Sequence, residues 1–437
     1  MAKPSLQVIT LGCSKNKVDT EHLLAQVQDD FVIVPEGQAG PVDWLLLNTC
    51  GFIGDAKEES VQAVFNAVGR KMQGQVGKIL VFGCLSQRYM DDLPGLIPEV
   101  DGWYGARDLE PVVRALGVRM SPERRNVRYT VGNPGSYAFL KISEGCDRRC
   151  SYCAIPFIRG AHKSVPIEDL VEEARMLAGN GVRELVLIAQ DTTYYGLDLY
   201  GRRALAELLQ RLSEVEGIEW IRIHYSYPAG FPEDVLDQMA SNPKVCRYMD
   251  IPLQHVADNV LDNMHRHVDG AWTRELIRRM REKVPGIVLR TTLIVGHPGE
   301  GRKEFAELMD FVRDAKFERL GAFTYSEEEG TWGAAHLKDS VTKKTKQSRL
   351  SRLMELQRGI SFAYNQSRIG SEVRVLVDGY ADGMLVCRSE FESPEVDGEI
   401  LIPCPKGRSP QSFVGQFMTV RITGAGDYDL TGDYLRE

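Results

Sequence analysis

The sequence predicts an α/β protein of three domains: an amino-terminal parallel α/β domain over residues 1–117, a central partial (β/α)6 barrel over 136–366, and a small antiparallel β-barrel over 368–437. Three observations predict it. A chain of 437 residues suggests about three domains at roughly 150 residues each. Short apolar runs alternate with amphipathic helical patterns twice, before and after a polar break, and such alternation implies parallel sheets covered by helices. After Arg368 the texture changes to short β runs separated by Gly and Asp turns.

In the first domain Leu6–Leu11, Phe31–Val34, Trp44–Leu47 and Ile79–Phe82 read as strands, with helices over Thr20–Gln28 and Ala56–Val68. Val118–Gly135, polar and carrying Arg119, Arg124, Arg125 and Arg128, reads as a linker. The central strands are Tyr137–Ile142, Glu184–Ala189, Trp220–Tyr225, Tyr248–Leu253, Val288–Val295 and Leu320–Tyr325. Helical patterns fall at Ile167–Leu177, Leu205–Val215, Asp234–Met239, Val256–Met264, Thr273–Lys283 and Glu304–Val312. Six units fall short of the eight of a closed barrel, and an open side suits a large substrate. Lys338–Arg358 is a basic helical segment, with seven basic and two acidic residues, that could touch rRNA or simply be a solvated helix face. The final strands are Val373–Val377, Leu385–Cys387, Glu399–Ile402 and Phe417–Ile422, resembling a barrel of the oligonucleotide-binding kind.

Composition excludes several classes. Hydrophobic residues at 43% and charged residues at 26% are ordinary for a globular chain and rule out disorder or collagen. No apolar run reaches the ~18 residues of a membrane span, and Met1–Lys17 has no signal-peptide core, so a cytoplasmic protein with no membrane partner is expected. The net charge of −8 lowers the expectation of a phosphate-binding surface. Nine cysteines in such a chain should be reduced thiols.

Three of them, in Glu144-Gly-Cys146-Asp-Arg-Arg-Cys150-Ser-Tyr-Cys153, follow directly on a predicted barrel strand, at the end where such enzymes place their chemistry. Three thiolates suit three irons of a cubane cluster with the fourth left open. A zinc site completed by His162 is the alternative. Cys13, Cys50 and Cys84 each end an apolar run: Val8-Ile-Thr-Leu-Gly-Cys13, Leu45-Leu-Leu-Asn-Thr-Cys50 and Ile79-Leu-Val-Phe-Gly-Cys84. In a parallel sheet those positions converge on the carboxyl edge and make a second three-thiolate site, the alternative being three packed small hydrophobes. Cys246, Cys387 and Cys404 have no partners in spacing, and His265 and His267 would splay apart on a helix.

The spacing of Cys146, Cys150 and Cys153, with Tyr152 before the last, resembles the radical S-adenosylmethionine enzymes. The resemblance implies a 4Fe-4S cluster whose open iron binds S-adenosylmethionine and cleaves it reductively to a 5′-deoxyadenosyl radical. It also implies that Tyr152, Gln190, Ser226, Gln254, Arg290, Ile294, Gly296 and Glu300, at or near strand ends, cradle the cofactor, although each reads equally as a strand-end cap or turn residue. With the second triad, the whole chain resembles the methylthiotransferases, which carry an amino-terminal cluster domain, a radical S-adenosylmethionine barrel and a terminal TRAM-like β-barrel. Leu11-Gly-Cys13-Ser-Lys-Asn16-Lys-Val-Asp19-Thr-Glu21, Gln190-Asp191-Thr192-Thr193-Tyr194-Tyr195-Gly196 and Met249-Asp250-Ile251-Pro252-Leu253-Gln254-His255 look like the ribosomal-protein type. Relatives that modify tRNA usually carry Gln-Met where Ser14-Lys15 stand.

The resemblance implies two 4Fe-4S clusters and S-adenosylmethionine as cofactors, and methylthiolation of the β-carbon of an aspartate in small-subunit ribosomal protein twelve. It also implies an electron donor such as flavodoxin or ferredoxin, and a monomer is expected. Residues 368–437 hold seven basic and twelve acidic groups, a net of −5, which would repel phosphate and attract a basic protein. Glu392, Glu395 and Glu399 are the candidate docking charges. A tRNA adenosine methylthiotransferase, and a non-catalytic iron–sulfur regulator or ribosome-binding factor, are the alternatives.

Overall fold

The computed structural model describes residues 2–129, 135–405 and 407–436. The first domain is a parallel sheet of β1 (Ser5–Thr10), β2 (Val32–Val34), β3 (Val42–Thr49), β4 (Val76–Gly83) and β5 (Gly102–Trp103), in the order β2-β1-β3-β4-β5. Its central strands are unbroken apolar runs because helices cover both faces. Leu45, Leu47, Ile79 and Val81 pack on Val64 and Ala67 of helix Gly54–Met72, while Leu46, Leu80 and Phe82 pack on Leu23, Leu24 and Val27 of helix Ser14–Val27. That second helix starts earlier than its apolar pattern, directly after Cys13.

Val118–Gly135 is more than a linker. Arg128 is buried and clamps Glu21 of the first domain to Glu173 of the barrel, with Nη1 2.8 Å from Glu173. Residues 130–134 of that stretch lie outside the described residues.

The central domain has β6 (Tyr137–Lys141), β7 (Ser143–Glu144), β8 (Lys163–Ser164), β9 (Glu184–Ile188), β10 (Trp220–Ile223), β11 (Val245–Asp250), β12 (Val288–Val295) and β13 (Arg319–Thr324). Six of these form one open parallel sheet, β13-β12-β11-β10-β9-β6, and β7 pairs antiparallel with β8 beside it. Leu185, Leu187, Ile221, Ile223, Met249, Leu289 and Leu293 pack against the helices. The alternate residues include Arg222, His224, Tyr248, Asp250, Arg290 and Arg319, a polar set in which Asp250 holds Arg290 within the sheet and the others reach partners outside it.

The last domain is a closed barrel of β14 (Glu372–Ala381), β15 (Met384–Ser389), β16 (Ile400–Pro403), β17 (Phe417–Ala425) and β18 (Leu430–Arg436). One pairing, β16 with β18, is parallel, so the barrel is not antiparallel throughout. β18 escapes the sequence reading because Leu430-Thr-Gly-Asp interrupts its β-pattern with turn residues.

Helix Lys343–Ser367 carries the chain into this domain. Two of its basic residues are buried: Lys346 donates to the Tyr325 carbonyl at 3.0 Å, and Arg349 pairs with Glu300 at 2.6 Å. Those two cannot serve a nucleic acid.

The loop after β15 enters the open barrel. Arg388 reaches Glu184 at 2.7 Å, and Glu184 also holds Arg222 at 2.7 Å. Glu392 takes Arg319 at 3.1 Å and is also paired with Arg368. Ser393 meets His224 Nε2 at 2.7 Å, and Tyr248 donates to Asp397 at 2.6 Å. Glu392, only 1% exposed, is thus a structural counter-ion and not a docking charge, and a sequence count of acidic residues cannot distinguish the two. Burial alone would raise its pKa, but Arg368 and Arg319 hold it down at about 2.

Replacing Glu392 with Gln strands two buried arginines and should cost ~3–5 kcal/mol at neutral pH. A carboxylate whose folded pKa is depressed stabilises above its unfolded pKa and loses that contribution as pH falls through the folded value. The stability gap between wild type and variant, measured by urea denaturation, should therefore close between pH 4.5 and about 2. A gap that stays constant over that window would contradict the assignment.

Candidate functional site: two cysteine triads at one domain junction

The loop bearing Cys146, Cys150 and Cys153 leaves β6 through β7, whose pairing to β8 fixes its base. Gly145 has φ +75°, and a Cβ there would sit 2.1 Å from the Ala161 carbonyl oxygen. Only glycine fits this approach. Cys146 N donates to Gly160 at 3.1 Å and Ser151 N to Met264 at 3.0 Å, so both ends of the loop are tied down. Burial pushes the Cys146 thiol up to about 12 and raises Cys153 as well. Arg266 Nη1 is 3.5 Å from Cys150 Sγ, and the Tyr227 hydroxyl is 3.7 Å from the same sulfur. Arg266 and Arg148 stack on the Tyr227 ring, 4.1 and 4.0 Å from its centroid. A cation beside the sulfur is placed to offset the negative charge of a metal-bound thiolate.

Cys13, Cys50 and Cys84 end β1, β3 and β4 and do converge. A Cβ on Gly12 (φ +92°) would come within 2.6 Å of Cys50 Cβ. Cys50 and Cys84 are buried and Cys13 is exposed. Burial raises Cys84 to about 11 and Cys50 in the same direction, with the neighbouring cysteines adding to both. Cys50 and Cys84, were they only packing residues, would not need a polar side chain threaded between their strand ends. Asn16 is one: it donates to the carbonyls of Leu11 at 2.8 Å and Thr49 at 3.2 Å.

His162 does not complete the barrel triad: its Nε2 meets Ser164 Oγ at 3.1 Å and its ring packs on Tyr194. Among the described residues, no three His, Cys, Asp or Glu side chains enclose a single metal ion.

A charged network joins the triads. Arg159, at the end of helix Ile155–Arg159, reaches across to Asp19 at 2.8 Å and Asn16 at 2.5 Å of the first domain. Lys141 pairs with Asp19 and with Glu144 at 2.8 Å, and Gln190 Nε2 donates to Glu144 at 2.7 Å. Burial would raise Glu144, but Lys141 and Arg159 bring it to about 2, so it is ionised at neutral pH. Sequence reasoning missed Glu144, Arg159 and Arg266. The first two stand within ten residues of the cysteine motif, whereas nothing local marks Arg266.

The cofactor residues inferred by resemblance divide into two groups. Tyr152 lies edge-on to His297, beside Ile294, and His297 lies edge-on to Tyr325 at 4.8 Å. Gln254 (φ +73°) is stitched to β12, with Ile294 N donating to its carbonyl at 2.8 Å. The Gln190 and Gln254 Oε1 atoms, His297 Nε2 and the Tyr325 hydroxyl are buried without a hydrogen-bond partner, which leaves them free to meet a polar ligand. Sequence reasoning missed His297 and Tyr325.

Ser226, Arg290 and Glu300 are instead engaged with the protein. Ser226 Oγ lies 3.1 Å from Met249 Sδ, and Arg290 binds Asp250 at 2.9 Å. Glu300 holds Gly296 N at 2.9 Å and Arg349. These roles need no ligand. Gly296 (φ +76°) is packed on Lys346. Of the docking glutamates, Glu395 takes Lys17 at 3.0 Å and Tyr137 at 2.8 Å, and Glu399 is exposed.

Comparison with known proteins matches all three domains. The Radical SAM superfamily model covers residues 140–312, the TRAM domain model 369–435, and the Uncharacterized protein family UPF0004 model 5–105. Ribosomal protein uS12 methylthiotransferase RimO of Porphyromonas gingivalis is 51% identical over 433 residues, covering 98% of this chain and 99% of the relative. The enzyme of the same name from Bacteroides fragilis is 47% identical over 436 residues and covers 100% of both chains. Among solved structures, the radical S-adenosylmethionine methyltransferase TsrM from Kitasatospora setae, with cobalamin and a 4Fe-4S cluster bound, aligns over 94% of this chain and 85% of that one. Its TM-score is 0.58 at 13% identity, a likeness of fold alone.

Gly145→Ala should strain the turn before Cys146 by ~1–3 kcal/mol. The expected result is a lower melting temperature and less iron retained on reconstitution. Wild-type values for both would show that the turn is not constrained.

Proposed function

The chain belongs to the ribosomal protein uS12 methylthiotransferase family, and we propose that it performs that family's reaction, placing a methylthio group on the β-carbon of an aspartate of uS12. The observation that carries this reading is the meeting of two three-cysteine sets at one junction, in a chain matched to those relatives from end to end. Relatives at 46–51% identity are named for the ribosomal protein, which sets aside the tRNA and regulator alternatives. No helix among the described residues is long and apolar enough to cross a membrane.

Cys146, Cys150 and Cys153 would hold the 4Fe-4S cluster that engages S-adenosylmethionine, and Cys13, Cys50 and Cys84 a second one. When bound, these groups supply a carbon radical able to abstract hydrogen, a sulfur atom and a methyl group. The residues present fit them: soft thiols grouped in threes, an arginine beside one sulfur of each set, and partnerless polar atoms grouped beside the barrel triad.

The chain's own part is to position and to exclude water. Tyr152, His297, Tyr325 and Gln254 offer ring faces and free acceptors to a nucleoside. Glu144 stays ionised and holds Gln190, whose Oε1 remains free. Lys141 and Arg159 keep the amino-terminal domain seated on the barrel. A one-electron carrier of the flavodoxin or ferredoxin type would supply reducing equivalents to a monomer. Glu395 and Glu399 remain candidate docking charges for a basic protein.

Cys150→Ala should abolish 5′-deoxyadenosine formation and lower iron by about one cluster per chain, because two thiolates hold a cubane poorly. Unchanged cleavage would refute the barrel assignment. Replacing Cys13, Cys50 and Cys84 together with Ala should leave cleavage detectable while mass spectrometry of uS12 peptides finds no methylthiolated aspartate. Product from that variant would refute the assignment of those cysteines to a second cluster.

A further inference from the structure

Arg159 is six residues beyond Cys153 in sequence, yet its guanidinium lies among residues of the amino-terminal domain. It is 3% exposed, and all three nitrogens are used. Nη2 donates to Asn16 Oδ1 at 2.5 Å. Nη1 meets Asp19 at 2.8 Å, Glu144 at 3.1 Å and the Ala106 carbonyl at 3.3 Å. Nε donates to Cys84 Sγ at 3.2 Å.

Taking Cys13, Cys50 and Cys84 as ligands of the second cluster, we propose that Arg159 is a positioning residue that raises that cluster's reduction potential by donating a charge-assisted hydrogen bond to the Cys84 sulfur. The domain that carries the first cysteine triad thereby tunes the redox poise of the second.

Adding an electron makes a cluster more negative, and a cation or a hydrogen bond at a ligating sulfur stabilises that state. Anchoring the domains would require only the contacts to Asp19, Asn16 and the Ala106 carbonyl. The donor turned to sulfur is additional to them. Those same contacts fix the fork, so the donor is already in place when sulfur charge increases. A lysine could satisfy the carboxylates as a point charge but could not hold both the sulfur and the carboxylates in this planar geometry.

The test uses the full chain carrying Cys146→Ala, Cys150→Ala and Cys153→Ala, so that the second set alone binds a cluster. The readout is an EPR-monitored redox titration. In Arg159→Gln the cluster should become harder to reduce. At the wild-type midpoint the ratio of reduced to oxidised cluster should drop about tenfold, a shift of ~59 mV for one electron. Arg159→Lys, which retains a charge for Asp19 and Glu144, should shift in the same direction by less.

A midpoint unchanged in both variants overturns the proposal. If neither variant folds, the same cysteine background with native Arg159 and 15N-labelled arginine decides by pulsed EPR. A 15N coupling to the reduced cluster supports the contact, and its absence overturns it. If the triple-alanine background binds no iron and sulfide at all, the reading of Cys13, Cys50 and Cys84 itself has failed, an outcome distinct from an unshifted midpoint.

Discussion

A six-stranded sheet that stops short of closing leaves its inner face without strands to cover it, and that constraint organises the molecule. Many of the inner residues here are polar, among them Arg222, His224, Tyr248, Arg290 and Arg319. Left in a partly dry cavity, each would lose solvation with nothing in return. The flanking domains supply the partners. From the carboxyl side come Arg388, Glu392, Ser393 and Asp397, and from the amino side Val18 packs on Phe139, Val186 and Ile188. The three domains are therefore joined through buried charge and packing, and the terminal barrel is part of the inner wall of the central one.

Such junctions work differently from apolar cores. A buried ion pair adds little net stability over a well-packed apolar substitute, because desolvation offsets most of the attraction, but removal of one member strands the other. Glu184 holds two arginines, Arg222 from its own sheet and Arg388 from the terminal barrel, and Glu392 likewise holds Arg319 and Arg368. Each carboxylate thus penalises any docking that separates its partners. Arg128 does the same on the other side, between Glu21 and Glu173. A fixed docking is what two cysteine sets on different domains require if they are to face one space.

Sequence periodicity carried the sheets well, since buried parallel strands are apolar runs between helical patterns, as in Trp44–Leu47 and Ile79–Phe82. It failed where a strand is short or polar, at Gly102–Trp103, Ser143–Glu144, Lys163–Ser164 and Leu430–Arg436. The two cysteine sets were legible because each cysteine follows a strand, and strand ends of a parallel sheet share one edge. The charged residues were not legible. Glu392, Arg290 and Glu300 look in the sequence like surface or ligand groups, and only their partners, dozens of residues away, make them structural. For the same reason Arg266, more than a hundred residues past Cys150, was invisible beside it.

The two sets also share an electrostatic arrangement. Free thiols this buried resist ionisation, with Cys84 near 11 and Cys146 near 12, so metal must displace protons to bind. Three thiolates in a poorly solvated pocket would concentrate negative charge, and each set has one arginine positioned against one sulfur: Arg266 on Cys150 and Arg159 on Cys84. Both arginines belong to the central domain. The amino-terminal domain supplies three sulfurs and an amide, and the cation that donates to Cys84 comes from its neighbour. Docking therefore brings a charge to the second set, to whose sulfurs, among the described residues, no cation of its own domain donates, and the geometry that aligns the two sites also completes one of them.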